Sequence, residues 1–109
     1  MPAAQLPPGA VVRVSQGRFD PARFTEATEM SVATGRYLIP AIEKLPGLIC
    51  YYAGVSPSGS MVNVSVWESE EHAQQMSRLT EMTVDARQEA DKAGVTIASI
   101  TNHAITWSI

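Results

Sequence analysis

Cysteine occurs once in this chain and histidine twice, and no stretch is apolar or basic for long. The lone Cys50 excludes an intrachain disulfide and a cysteine-based zinc site. Set in the apolar run 48–55, it reads as a buried, inert thiol rather than a nucleophile. No run approaches the ~18 apolar residues of a membrane span. The opening Met-Pro-Ala-Ala-Gln-Leu-Pro-Pro-Gly lacks the basic leader and long apolar centre of a signal peptide, so the cytoplasm is the expected compartment. Eight Lys and Arg are scattered against eleven Asp and Glu, for a net charge of −3. That balance lacks the electrostatic footprint of a nucleic-acid binder. Gly-x-Ser-x-Gly, a phosphate loop and a Cys–His dyad are all missing.

What is present is a chain of 109 residues, 45% apolar and only 17% charged. That length suits one domain with a single modest core, and self-association would cover leftover apolar surface. Residues 1–9 hold three of the seven prolines and read as an extended tail, leaving 10–109 as the domain. Pro2 sits too far ahead of the first strand to act as an N-terminal proline base.

The β-branched run 10–15 predicts a first strand. Asp20-Pro21 is a helix start, with Asp as N-cap and Pro where its missing N–H costs nothing. Phe24, Ala27, Ser31, Thr34, Leu38, Ala41, Ile42 and Leu45 then recur at helical spacing. Pro40 should kink or divide that helix, and Pro46-Gly47 should end it. Strand 2 spans 48–55 and Ser56-Pro57-Ser58-Gly59 is a hairpin turn leading to strand 3. Ser69 with Glu70 and Glu71 caps a second helix, with a break expected near Leu79-Thr80 and an end at Gly94. Residues 95–109 are β-rich. The order β-α-β-β-α-β is ferredoxin-like α+β: a four-stranded antiparallel sheet with both helices on one side.

Strand 3, Met-Val-Asn-Val-Ser-Val-Trp-Glu at 61–68, carries the strongest signal. Val62, Val64 and Val66 share one face, while Asn63, Ser65 and Trp67 share the other. The valine face predicts a partner, most simply a homodimer joined sheet to sheet. The Asn63 face suits a semi-polar cavity under the helices. If Val55 pairs with Ser60, Tyr52 stands opposite Asn63 and Cys50 opposite Ser65. A bulge or an odd loop would bring Tyr51 to that face instead.

The Leu-Pro-Gly of 45–47 ahead of strand 2, and Val64-Ser65-Val66-Trp67-Glu68-Ser69-Glu70-Glu71, resemble the dimeric α+β barrel superfamily. The likeness covers 10–109, and its nearest branch is the antibiotic-biosynthesis-monooxygenase-like group. It implies a dimeric α+β barrel in which Asn63 and Trp67 line a cavity between sheet and helices. It further implies a cofactor-independent monooxygenase acting on a small aromatic or quinol-type compound, with no metal or flavin. Asn63 would polarise a phenolate oxygen and Trp67 would supply a flat wall. The competing reading is a non-catalytic binding or structural dimer, in which Trp67 only plugs the helix–sheet interface. Heme degradation, the other oxidative activity of the superfamily, needs an axial His on the following helix. This chain has Met76-Ser77-Arg78 there, with Ser15 and Gln16 where a first-strand Asn is expected.

Four further positions complete the candidate site. Tyr52 belongs to it under the favoured register. Arg36 and Tyr37 flank the inward stripe of helix 1 and could close the same cavity, the guanidinium holding an anionic oxygen. His103 on the last strand is a candidate base by its ordinary pKa of about 6.5. Glu68 and His72 are four apart, but Glu68 precedes the Ser69 cap, so the pair lacks helical spacing and a third ligand. No metal site is expected.

Overall fold

The computed structural model of the chain describes residues 6–109. The part of the expected tail at 1–5, Pro2 included, lies outside the described residues. Four strands form one antiparallel sheet: β1 (Val11–Arg18), β2 (Leu48–Ser56), β3 (Ser60–Trp67) and β4 (Thr96–Ala104), in the spatial order β2-β3-β1-β4. A long helix, α1 (Phe24–Glu43), and a broken second segment pack on one face of the sheet. The fold is ferredoxin-like α+β.

Local chemistry sets the helix boundaries. The Asp20 side chain accepts a hydrogen bond from Ala22 N at 2.9 Å, and Pro21 opens a 3₁₀ turn that leads into α1. Pro40 neither divides nor ends α1, which runs through it to Glu43. Pro40 and Arg36, whose carbonyl loses its intrahelical donor, both lie on the exposed side, where solvent can take the missing bond. Beyond β3, the Ser69 hydroxyl caps α2 (Glu70–Ala73). A 3₁₀ turn at Gln74–Arg78, an extended Leu79 and a π-turn at Glu81–Asp85 follow before α3 (Ala86–Lys92). The break therefore falls at the expected Leu79-Thr80. Among the described residues, no helix is long and apolar enough to cross a membrane.

The hairpin differs from expectation by one residue. Ser56 pairs with Ser60, so the loop is Pro57-Ser58-Gly59 and the β2–β3 pairs from Cys50 to Ser56 shift by one, until a bulge between Leu48 and Cys50 sets Leu48 opposite Trp67. Tyr51 stands opposite Ser65, Tyr52 opposite Val64 and Ala53 opposite Asn63. Gly59 closes this short loop with a φ of +99°, and its carbonyl accepts from Phe19 N at 3.0 Å. Gly47 at φ +83° does the same work after α1, where a side chain would also run into the His72 ring.

The interior holds two hydrophobic clusters, not one. Phe19, Ala27, Met61, Ala90, Ala93 and Val95 form the first, near the β2–β3 hairpin. Val11, Ile42, Trp67, Ala73 and Met76 form the second, at the other end of β3. Between them α1 presents Ser31, Thr34 and Gly35, residues too small to reach the sheet. The opposite sheet face carries Val12, Val14, Val62, Val64 and Val66, all half-buried, with Tyr52 68% exposed among them.

Two glycines give opposite expectations. A Cβ at Gly59 would meet the Phe19 carbonyl at 2.6 Å, so Gly59→Ala lowers stability by ~1–3 kcal/mol. A Cβ at Gly35 meets only Ile39 Cδ1, at 3.7 Å, so Gly35→Ala raises stability by up to ~1 kcal/mol. Urea unfolding midpoints at unchanged slope measure both.

Candidate functional site

The gap between the two clusters is a cavity of about 640 Å³, roofed by α1 and floored by the sheet. Its size falls within the ~300–1,000 Å³ usual for small-molecule sites. The register arranges the floor in rows. Leu48, Trp67 and Val11 make an apolar end row, and Val55, Met61 and Gly17 close the opposite end. The two rows between are polar. One runs Tyr51, Ser65, Arg13 and Asn102 across all four strands, and the other runs Ala53, Asn63, Ser15 and Ile100.

Asn63 is half-buried and lines the cavity. Trp67 has no exposed surface and sits in the second cluster, against Val11, Ile42, Ala73 and Met76. Its Nε1–H donates to Ser65 Oγ at 2.8 Å, at the end of the floor. Among the described residues, those lining the cavity do not include Trp67, so the expected aromatic wall is a support instead. The bond satisfies the only polar atom of a fully buried indole, which otherwise costs stability. It also fixes the Ser65 hydroxyl, since one lone pair is taken and the hydrogen is left to donate elsewhere.

The remaining candidates separate. Tyr52 points to the valine face, because the three-residue hairpin loop moves the register by one. Tyr51 takes its place and lines the cavity. His103 pairs with Val12, which puts it on the valine face too, where its Nε2 lies 2.8 Å from Thr101 Oγ1. Arg36 and Tyr37 do not line the cavity either. A helix turns about 100° per residue, so with Thr34 and Leu38 inward, Arg36 faces away and Tyr37 sideways. The Tyr37 hydroxyl is shut off from solvent with no hydrogen-bond partner among the described residues. Its pKa is raised, first by burial and then by the charges of Asp85 and Glu89. His72 is occupied locally, with Nδ1 at 2.7 Å from Ser69 Oγ. Among the described residues, no group of three His, Cys, Asp or Glu could hold a metal ion.

Arg13 is the residue that sequence reasoning missed. It is half-buried in the floor and donates from Nη1 to Asn102 Oδ1 and from Nη2 to Ser77 Oγ, each at 3.2 Å. Asn102 in turn donates to Glu70 Oε1 at 3.2 Å. Burial lowers the Arg13 pKa, opposed by Tyr51 and Glu70. The signal was present in the alternation of Val11, Arg13 and Ser15, which puts them on one face of β1. Burial likewise pushes the Tyr51 phenol up to about 12, with the Arg13 cation pulling the other way.

With the geometry in place, comparison with known proteins adds the fold's relatives. No family model matches the chain, and no curated protein matches it in sequence. Solved structures do match. The chain is similar to a monooxygenase from the gene ActVA-Orf6 of Streptomyces coelicolor, solved with Nanaomycin D. Identity is 18%, coverage 93% of this chain and 91% of that one, and the TM-score 0.67. A Deinococcus radiodurans protein assigned as an antibiotic biosynthesis monooxygenase aligns at 16% identity, over 91% of this chain and 95% of the other, with a TM-score of 0.68. SnoaB, a cofactor-independent oxygenase from Streptomyces nogalater, aligns at 15% identity over 93% and 97%, with a TM-score of 0.57. The chain therefore has the fold of the antibiotic-biosynthesis-monooxygenase-like group. At these identities the likeness speaks for architecture alone.

The Tyr51 phenol is a test of the floor's burial. A phenol whose pKa rises from ~10 in the unfolded chain stabilises the fold fully only below pH ~10. That contribution falls as pH climbs towards the folded-state value of about 12. Absorbance titration at the phenolate band should show a component with a midpoint near 12 that Tyr51→Phe removes. A titration unchanged by the substitution refutes the buried phenol.

Proposed function

We propose that this protein binds a small, flat, largely apolar ligand between α1 and the sheet and oxidises it with O2 without a bound cofactor. The observation that carries the reading is the cavity of about 640 Å³ with Asn63 in its floor and the Trp67–Ser65 pair beside it. The amide can hold a phenolate or enolate oxygen, which favours the electron-rich form of the substrate. Such an anion passes an electron to O2. The resulting radicals combine into a carbon-bound hydroperoxide, which loses water to leave a carbonyl. A CH2 group and O2 thus become C=O and H2O, with both electron pairs supplied by the substrate. Asn63 acts on the substrate oxygen in this scheme, and Trp67 acts as a positioning residue through Ser65. Tyr51 takes the substrate-binding place expected of Tyr52 in this scheme. The class of reaction is carried over from oxygenases that share the fold, and the likeness says nothing of the compound.

A non-catalytic binding protein is the second reading. It is favoured by the absence of any His or Cys among the described residues lining the cavity, which leaves the exposed Glu43 carboxylate as the ordinary base there. Oxygen-electrode measurements with a panel of anthrones and quinols separate the two. The oxygenase reading expects uptake above the spontaneous rate, lowered about 10²-fold by Asn63→Ala. Gly35→Leu, which fills the cavity from α1, should abolish uptake without lowering the unfolding midpoint. Uptake no faster than autoxidation across the panel leaves only the binding reading.

The proposed assembly is a homodimer with the two valine faces packed together, forming a barrel. Val12, Val14, Val62, Val64 and Val66 supply a continuous apolar surface for it. Sedimentation equilibrium at micromolar concentration should give twice the 11.8 kDa chain mass, and Val64→Glu should return it to one. A wild-type monomer overturns the dimer.

A further inference from the structure

The row Tyr51, Ser65, Arg13 is unusual in what it offers a ligand. The three side chains are directly opposed across β2, β3 and β1, with neighbouring Cβ atoms about 4.5–5.5 Å apart. All three line the cavity and each carries a hydrogen-bond donor, while only the two hydroxyls can also accept. Ser65 Oγ already accepts the Trp67 indole N–H, so its own O–H is left to donate. Tyr51 lines the cavity and, with burial holding it neutral, keeps its O–H in the neutral pH range. Arg13 can only donate.

Arg13 also carries a charge that nothing in the floor neutralises at contact distance. Among the described residues it forms no ion pair, and both its acceptors, Asn102 Oδ1 and Ser77 Oγ, are neutral. Glu70 reaches it only through the Asn102 amide. A half-buried guanidinium held in place by neutral acceptors is costly until an anion joins it. Fixed in that way, it is also pre-organised to receive one. The other charged residues of the lining, Glu43 and Arg87, are exposed and cancel one another in net charge.

We infer that this row recognises a carboxylate, carried on the flat apolar body that occupies the space under α1. The proposal rests on the reading of the cavity as a ligand site and adds the class of ligand. A carboxylate has two oxygens and enough lone pairs to accept from all three donors, Arg13 giving the charge-assisted bond. The rest of the ligand lies along Asn63 and Ala53 in the next row, beneath Leu38 and Thr34. Recognition of the acid is thereby separate from Asn63, which acts on another oxygen of the same molecule.

The test uses two probes of one shape: anthracene-2-carboxylate and the neutral anthracene-2-carboxamide, titrated at pH 7 by calorimetry. The carboxylate should bind about tenfold or more tightly than the amide to the wild-type protein. Arg13→Met, which keeps the apolar stem, should bring the carboxylate down to the amide's affinity, with a much smaller loss for the amide. Arg13→Lys should retain part of the preference, and Asn63→Ala should retain it all. Equal binding of the two probes to the wild type overturns the carboxylate proposal and leaves the cavity a ligand site. Binding of neither probe overturns both. An equal loss of both probes in Arg13→Met, with circular dichroism unchanged, shows Arg13 to shape the cavity rather than read charge, and also overturns the proposal.

Discussion

The middle of α1 is too narrow to fill the space above its own sheet, and the interior is organised around that fact. Ser31, Thr34 and Gly35 occupy the turns where a Leu or Ile would otherwise descend to the floor. Larger residues at either end, Phe24 and Met30 at one and Leu38 and Ile42 at the other, pack into the two clusters and hold the helix at its height. The Thr34 hydroxyl is turned back to the Ser31 carbonyl at 3.1 Å, so the helix gives no polar hydrogen at that point. A helix pinned at both ends and thin in between leaves a cavity by construction.

The sheet answers with polar residues where the helix withdraws. Asn63 and Ser65 lie between Met61 and Trp67 on one strand face, so the change from apolar to polar and back follows the clusters. A polar side chain is tolerated there because open space or a fixed partner satisfies it. The buried indole of Trp67 serves the second cluster with its rings and the floor with its N–H. Its single hydrogen bond joins the packing of the core to the orientation of a hydroxyl in the site. The broken second segment contributes in the same way: Ser77 on the 3₁₀ turn holds one arm of Arg13, and Glu70 on α2 holds Asn102.

Most of the fold was legible in the chain because its signals are short-range. The N-caps Asp20 and Ser69, the strand alternation at 61–68 and the stop at Pro46-Gly47 act within a few residues. Pro40 does not divide α1, because the penalty depends on what surrounds the lost bond, and here that is solvent. The candidate site was legible in part. Asn63 was placed in the cavity floor by parity alone. Arg13 was overlooked because Val11 on one face of β1 and Val12 and Val14 on the other make both faces partly apolar, so alternation groups Arg13 with Val11 and Ser15 but only pairing with Ser65 shows that face to be inward.

By itself the sequence determined which elements form, their order, and that β3 has one valine face and one face of Asn63, Ser65 and Trp67. Those outcomes follow from propensity, capping and a period of two, all of which act along the chain. Only the tertiary structure decided that Tyr51 and not Tyr52 joins the floor, that His103 lies on the opposite face, and that Trp67 is buried in the cluster beside the site rather than in its wall. Each of these turns on one residue of register or a few ångströms of depth. Such quantities are set by loop closure and the packing of helices on the sheet, between residues far apart in sequence.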